Sequence, residues 1–122
     1  MKVVVFDDVL FARQHEYAEF ACEFVFFAHA DDAVWAVRSH RPELVLMDYS
    51  MGSHGTGEDA VTALRGHWPR GVLRIVGISA DVLSNERLVA AGADDAVPKS
   101  HLRGYLRALL RAGLARHGRG EG

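Results

Sequence analysis

The sequence is poor in cysteine, lysine and long apolar runs. Cys22 is the one cysteine among 122 residues, so no disulfide can form within the chain, and a reducing compartment suits it. The N-terminal MKVVVFDD meets two aspartates after a brief apolar run, too short for the core of a signal peptide. Runs such as Phe24–Ala28 fall far below the ~20 apolar residues of a membrane span. A cytoplasmic protein with no membrane partner is expected. The formal net charge of −2 gives no overall attraction to nucleic acid, so no direct nucleic-acid binding is expected either. The histidines are scattered, without the spacing of a zinc site. Lys2 and Lys99 are the only two lysines, against twelve arginines.

What is present is an alternation. Short apolar runs occur at Val3–Phe6, Phe24–Ala28, Leu44–Met47, Leu73–Ile78 and, briefly, Ala96–Val97, as buried parallel strands require. Helical patterns separate them. One helix is expected over residues 9–23. A second starts at Asp31 or Asp32 and ends before Pro42, and a third carries Ala60, Val61, Leu64 and Trp68 up to Pro69. Ser84 is the expected cap of a fourth, with Gly92 at its end. Leu102, Tyr105, Leu106, Leu109 and Leu110 form the apolar stripe of a fifth. Five such alternations predict one α/β domain, a doubly wound parallel sheet with helices on both faces. Residues 1–115 form that domain, and the Gly- and Arg-rich residues 116–122 a flexible tail.

Ligands of open parallel sheets bind beyond the carboxyl ends of the strands. Asp7 and Asp8 follow the first run, Asp48 the third, Ser79 the fourth and Lys99 the last. Three carboxylates brought together repel one another unless a cation joins them. Oxygen donors without His or Cys select Mg²⁺, which needs few protein ligands and leaves room for a phosphoryl oxygen. An aspartate can attack phosphorus to give an aspartyl phosphate. Mg²⁺ and Lys99 would offset charge developing on the phosphoryl oxygens, and Ser79 could donate a hydrogen bond to one of them.

The segments VVVFDD, PELVLMD, VGISA and AGADDAVPKS stand in this order over about residues 2–115. In them the chain resembles the receiver domains of two-component response regulators. The resemblance implies a five-stranded sheet in the order 2-1-3-4-5 and phosphorylation on Asp48. It implies Mg²⁺ held by Asp8, Asp48 and the Ser50 backbone carbonyl, with Asp7 acting through water. Ser79 corresponds to a hydroxyl switch and Lys99 to the lysine that contacts phosphate. The expected donor is a histidine kinase or histidine phosphotransfer protein. Output would pass through helix 4, strand 5 and helix 5 to a partner protein or domain, with homodimerisation one option. No enzymatic turnover is implied beyond slow self-dephosphorylation.

Four positions depart from the pattern. Gly52 replaces a proline, GSHGTGED carries an extra residue before Gly57, Ala96 replaces a mobile aromatic, and Ser100 replaces a proline. The loop and Ala96 motivate a rival reading, a degenerate receiver that docks or dimerises without phosphorylation. The phosphate-cradling loop of a flavin carrier is missing after strand 1, where DDVLF offers acids instead, and an Asp-nucleophile phosphatase needs two aspartates separated by one residue, whereas Asp7 and Asp8 are adjacent.

Several residues have a plainer reading. Asp7 and Asp8 could simply cap a helix. Asp81 could cap the fourth helix or tune water attack on the phosphoryl group. His54 is read as a surface loop residue and Cys22 as a small buried hydrophobe. Arg103, Arg107 and Arg111 recur at helical spacing, read as a solvated face complementing the helix dipole rather than a docking stripe.

Overall fold

A computed structural model describes the backbone of residues 1–121 and the side chains of residues 1–113. Strands β1 (Lys2–Phe6), β2 (Glu23–Phe27), β3 (Leu44–Met47), β4 (Arg74–Gly77) and β5 (Asp95–Ala96) form one parallel sheet in the order β2-β1-β3-β4-β5. Helices α1 (Asp8–Ala12), α2 (Ala33–His40), α3 (Gly57–Arg65), α4 (Val82–Ala91) and α5 (Leu102–Glu121) connect and follow them. The expected doubly wound fold is present.

Successive strand side chains point to opposite faces, and each face has its own core. Val4, Phe6, Val45, Met47 and Ile75 pack with Val37, Val61, Leu64 and Leu88 of α2, α3 and α4. Val3, Val5, Leu44, Leu46 and Val76 pack with Leu10, Leu102 and Leu106 of α1 and α5. β3 is therefore apolar throughout, and β1 and β4 are apolar after their first residues, Lys2 and Arg74. Each such buried side chain stabilises the fold by about 1.5–3 kcal/mol before ordering costs. No helix among the described residues is long and apolar enough to cross a membrane.

Three helices differ from expectation. The one expected over 9–23 is only α1, followed by a 3-10 turn at Gln14–Tyr17 and bends. A helix to residue 23 would leave no chain to turn into β2, which starts there. Packing wins over local propensity instead: the loosened segment inserts Tyr17 and Phe20 against Phe24 and Phe26, with ring centroids 5.8–6.3 Å apart. α3 stops at Arg65, so Trp68 lies beyond it. The cap of α4 is Asp81, whose carboxylate accepts from the Ser84 N–H at 3.0 Å and the Ser84 hydroxyl at 2.7 Å. Ser84 completes the cap instead of forming it.

Arg65 ties together the amino ends of β4 and β5. Its guanidinium donates to the carbonyls of Gly92 (2.7 Å), Leu73 (2.7 Å) and Trp68 (3.1 Å) and to Asp94 Oδ2 (2.8 Å). The arginine stripe of α5 is not a solvated face throughout. Arg103 pairs with Glu19 and lies over the Tyr17 ring at 4.8 Å, and Arg107 lies over Phe20 at 5.6 Å. These stacked cations seal the aromatic cluster. α5 is helical to Glu121, and the flexibility expected of residues 116–122 lies outside the described residues.

Candidate functional site

Phe6 of β1 pairs with Met47 of β3, and Met47 with Gly77 of β4, so these strands end level. The ladder runs one residue further: Asp7 N–H donates to the Phe27 carbonyl, Asp48 N–H to Phe6 and Ile78 N–H to Met47, each at 3.0 Å. Asp7 and Asp48 therefore leave adjacent strands at one rim.

Asp7 is fully buried and has two roles at once. Its Oδ1 caps α1, accepting from the N–H groups of Val9 (2.9 Å) and Leu10 (3.0 Å). Its Oδ2 is buried without an aligned hydrogen bond and faces the Lys99 ammonium 2.7 Å away, an ion pair by distance. Asp7 thus caps α1 and also stands in the charged cluster at the rim. Exposed Asp8 accepts from the Val9 N–H at 2.9 Å. Asp48 is 7% exposed; Tyr49 N–H donates to its Oδ1 at 2.9 Å, and Lys99 Nζ lies 3.7 Å from its Oδ2. Asp7, Asp8 and Asp48 each offer an oxygen within 4.8 Å of the other two.

Electrostatics follow from this crowding. Burial and the neighbouring Asp7 charge push Asp48 up to about 6, against the pull of Lys99. Burial draws the Lys99 pKa down, but Asp7 and Asp48 more than offset it, so the ammonium is held. The cluster is short of positive charge. Its all-oxygen donors and the unaligned Asp7 Oδ2 fit a hard divalent cation such as Mg²⁺.

Ser79 follows β4 and is 7% exposed. Its hydroxyl accepts from the Asp81 N–H at 3.1 Å. Its backbone is clamped by Asn85, whose Oδ1 accepts from Ser79 N–H at 2.9 Å and whose Nδ2 donates to the Ser79 carbonyl at 2.8 Å. No hydrogen bond links Ser79 to Asp48 or Lys99 among the described residues. Asn85 escaped the sequence reading; its signal was a polar residue on the inward face of α4, one turn before buried Leu88. Asn85→Ala leaves two buried backbone groups unpaired, and chemical denaturation should show a loss of about 2–4 kcal/mol. A loss below about 0.5 kcal/mol would mean the clamp does not hold Ser79.

The loop after Asp48 is closed by a bridge between exposed Ser50 and Thr56. Gly57 must be glycine, because a Cβ there would overlap the Asp48 carbonyl. Tyr49, also missed from sequence, receives a hydrogen bond from Arg87 (3.1 Å) and donates one to Glu58 (3.3 Å), joining α3 to α4 beside Asp48. His54 is an exposed loop residue, as expected, and lies outside the carboxylate cluster. Half-buried Cys22 packs against the α1–α5 core.

No family sequence model and no curated protein sequence matches the chain. Solved structures do match it, and they are response regulators or their receiver domains. Vibrio cholerae chemotaxis protein CheY4 is 22% identical with a TM-score of 0.72, over 90% of this chain and 96% of that one. The BeF3-activated N-terminal receiver domain of Klebsiella pneumoniae RstA is 23% identical with a TM-score of 0.70, over 92% of this chain and 97% of that one. A CheY-like receiver domain protein from Methanospirillum hungatei is 18% identical with a TM-score of 0.68, over 99% and 98%. The chain has the CheY-like receiver fold.

Proposed function

We propose that the chain is a phosphoacceptor receiver of a two-component or phosphorelay system, with Asp48 as the acceptor. The observation that carries this reading is the meeting of Asp7, Asp8 and Asp48 oxygens within 4.8 Å at the strand rim, with Lys99 Nζ 2.7 Å from Asp7 and 3.7 Å from Asp48. The donor is a phosphohistidine on a histidine kinase or phosphotransfer protein. An Asp48 oxygen attacks phosphorus, a P–O bond forms as the P–N bond breaks, and the departing imidazole takes up a proton. Asp48 is ionised for this attack at neutral pH, above its value of about 6. Lys99 stands where negative charge gathers on the phosphoryl oxygens.

Asp7, Asp8, Asp48 and the Ser50 carbonyl are the groups that would hold Mg²⁺, which when bound neutralises the cluster and the phosphoryl oxygens. The Ser79 hydroxyl accepts from Asp81 and keeps its own proton to donate to the phosphoryl group. Any movement of Ser79 pulls on α4 through Asn85, which shifts the balance between two conformations. α4 exposes Val82, Leu83 and Val89 beside β5, an apolar surface suited to a partner or a second copy.

Acetyl phosphate with Mg²⁺ should add one phosphoryl group to the wild type, read by intact mass, and none to Asp48→Ala. No gain by the wild type, or equal gain by the variant, sinks the reading. The second reading, a phosphorylation-independent docking module, draws on Ala96, which leaves the α4–β5 hollow without a movable ring. Beryllofluoride that changes neither spectrum nor association state would favour it.

A further inference from the structure

A second group of ligating side chains meets away from the carboxylate cluster. His29 and Asp31 follow β2, and His54 ends a 3-10 turn, Gly52–His54, after β3. Asp31 Oδ2 lies 2.7 Å from His54 Nδ1 and 3.5 Å from His29 Nδ1. The imidazoles stack with centroids 4.0 Å apart and planes 5° from parallel. Each of the three residues offers a ligand atom within 4.8 Å of the other two. Nothing in the order of the histidines along the chain foretells this, because two separate loops supply them.

The loop presenting His54 is shaped by its sequence. Gly52 (φ 64) and Gly55 (φ 89) take left-handed conformations that favour glycine. The Ser50–Thr56 bridge closes its base, and the His54 N–H donates to the carbonyl of buried Met51 at 3.2 Å. Two of the four departures from the receiver pattern, Gly52 and the extra residue before Gly57, thus lie in the loop that carries this imidazole to His29.

We propose that His29, Asp31 and His54 form a site for a borderline transition-metal ion of the Zn²⁺, Ni²⁺ or Co²⁺ class, joining the loop after β2 to the loop after Asp48. Two imidazole nitrogens and one carboxylate are donors such ions take and Mg²⁺ does not seek. A simple loop tie accounts for the His54–Asp31 contact. It does not account for the second imidazole, whose Nδ1 stands 3.5 Å from the same carboxylate oxygen and accepts only a long hydrogen bond, 3.5 Å, from the Asp31 N–H. The rings must splay from parallel to aim both lone pairs at one ion. Side-chain exposures of 40%, 44% and 45% for His29, Asp31 and His54 leave room for that. Three protein ligands leave a fourth position for water or a partner's side chain. The site stands on its own geometry and does not depend on phosphorylation of Asp48.

Zinc calorimetry and Co²⁺ absorption, both with Mg²⁺ in excess to occupy the carboxylate cluster, test it. The wild type should bind one Zn²⁺ per chain and develop the absorption of a Co²⁺–imidazole complex. His29→Ala, His54→Ala and the milder His54→Gln should each weaken binding at least about tenfold with unchanged circular dichroism; even outer partners of metal ligands act on that scale. Asp48→Asn should bind as the wild type does. No zinc uptake by the wild type, uptake undiminished in the histidine variants, or loss of uptake in Asp48→Asn would overturn the proposal.

Discussion

Asp48→Asn should stabilise the metal-free protein at neutral pH. Asp48 sits at about 6 in the folded chain, against 3.8 for an ordinary aspartate. The folded state therefore binds this proton more tightly than the unfolded state, and stability falls as pH rises from about 4 to about 6. The difference between 3.8 and about 6 corresponds to roughly 3 kcal/mol. Below pH 4 the carboxyl is protonated in both states and the difference vanishes; above pH 6 it persists in full. Asparagine escapes the penalty, since it cannot ionise, and its Oδ1 can still accept from Tyr49 N–H. In chelator at pH 7.5 the variant should be more stable than the wild type by up to about 3 kcal/mol, less what it loses opposite Lys99. The gap should close near pH 4, and Mg²⁺ should raise the melting temperature of the wild type far more than that of the variant. Equal stability of the two proteins at pH 7.5 would show that the cluster is not short of positive charge.

Arg65→Ala should be the most damaging substitution away from the rim. The Arg65 side chain is 12% exposed, and its removal unpairs three carbonyls and leaves the Asp94 carboxylate only the Ile75 N–H as a donor. A broken buried network of this kind costs about 3–5 kcal/mol. For a chain of this size that lowers the melting temperature by roughly 12–20 °C. Arg65→Lys should recover little, because an ammonium on a flexible stem cannot span four acceptors set around a planar fork. Below their melting temperatures both variants should still take up phosphoryl groups, since Arg65 touches none of the carboxylates at the rim. A fall of less than about 1 kcal/mol would mean that water replaces the guanidinium.

How much of this was legible in the sequence depends on the range of the interaction. The strands were, because β3 and all but the first residues of β1 and β4 are buried on both faces and read as short apolar runs followed by Asp7, Asp48 and Ser79. The carboxylate cluster followed, since level strand ends bring those positions to one rim. The length of α1 was not legible: Tyr17 and Phe20 suit a helix locally, and their packing against β2 decides otherwise. Nothing in the sequence around Arg65 signals its role. Only the turn after α4, which brings Gly92 and Asp94 back beside it, reveals its task. Asn85 carried a weak signal and the meeting of His29 with His54 none, for side chains of separate loops leave no periodicity to read.

The position of the phosphoryl group decides the account most directly. Borohydride reduces an aspartyl phosphate to an alcohol and so marks the carboxylate that carried it. After acetyl phosphate and Mg²⁺, peptide mapping should find that mark at Asp48 and at neither Asp7 nor Asp8. An unmarked Asp48 in a protein that has gained a phosphoryl group would contradict it.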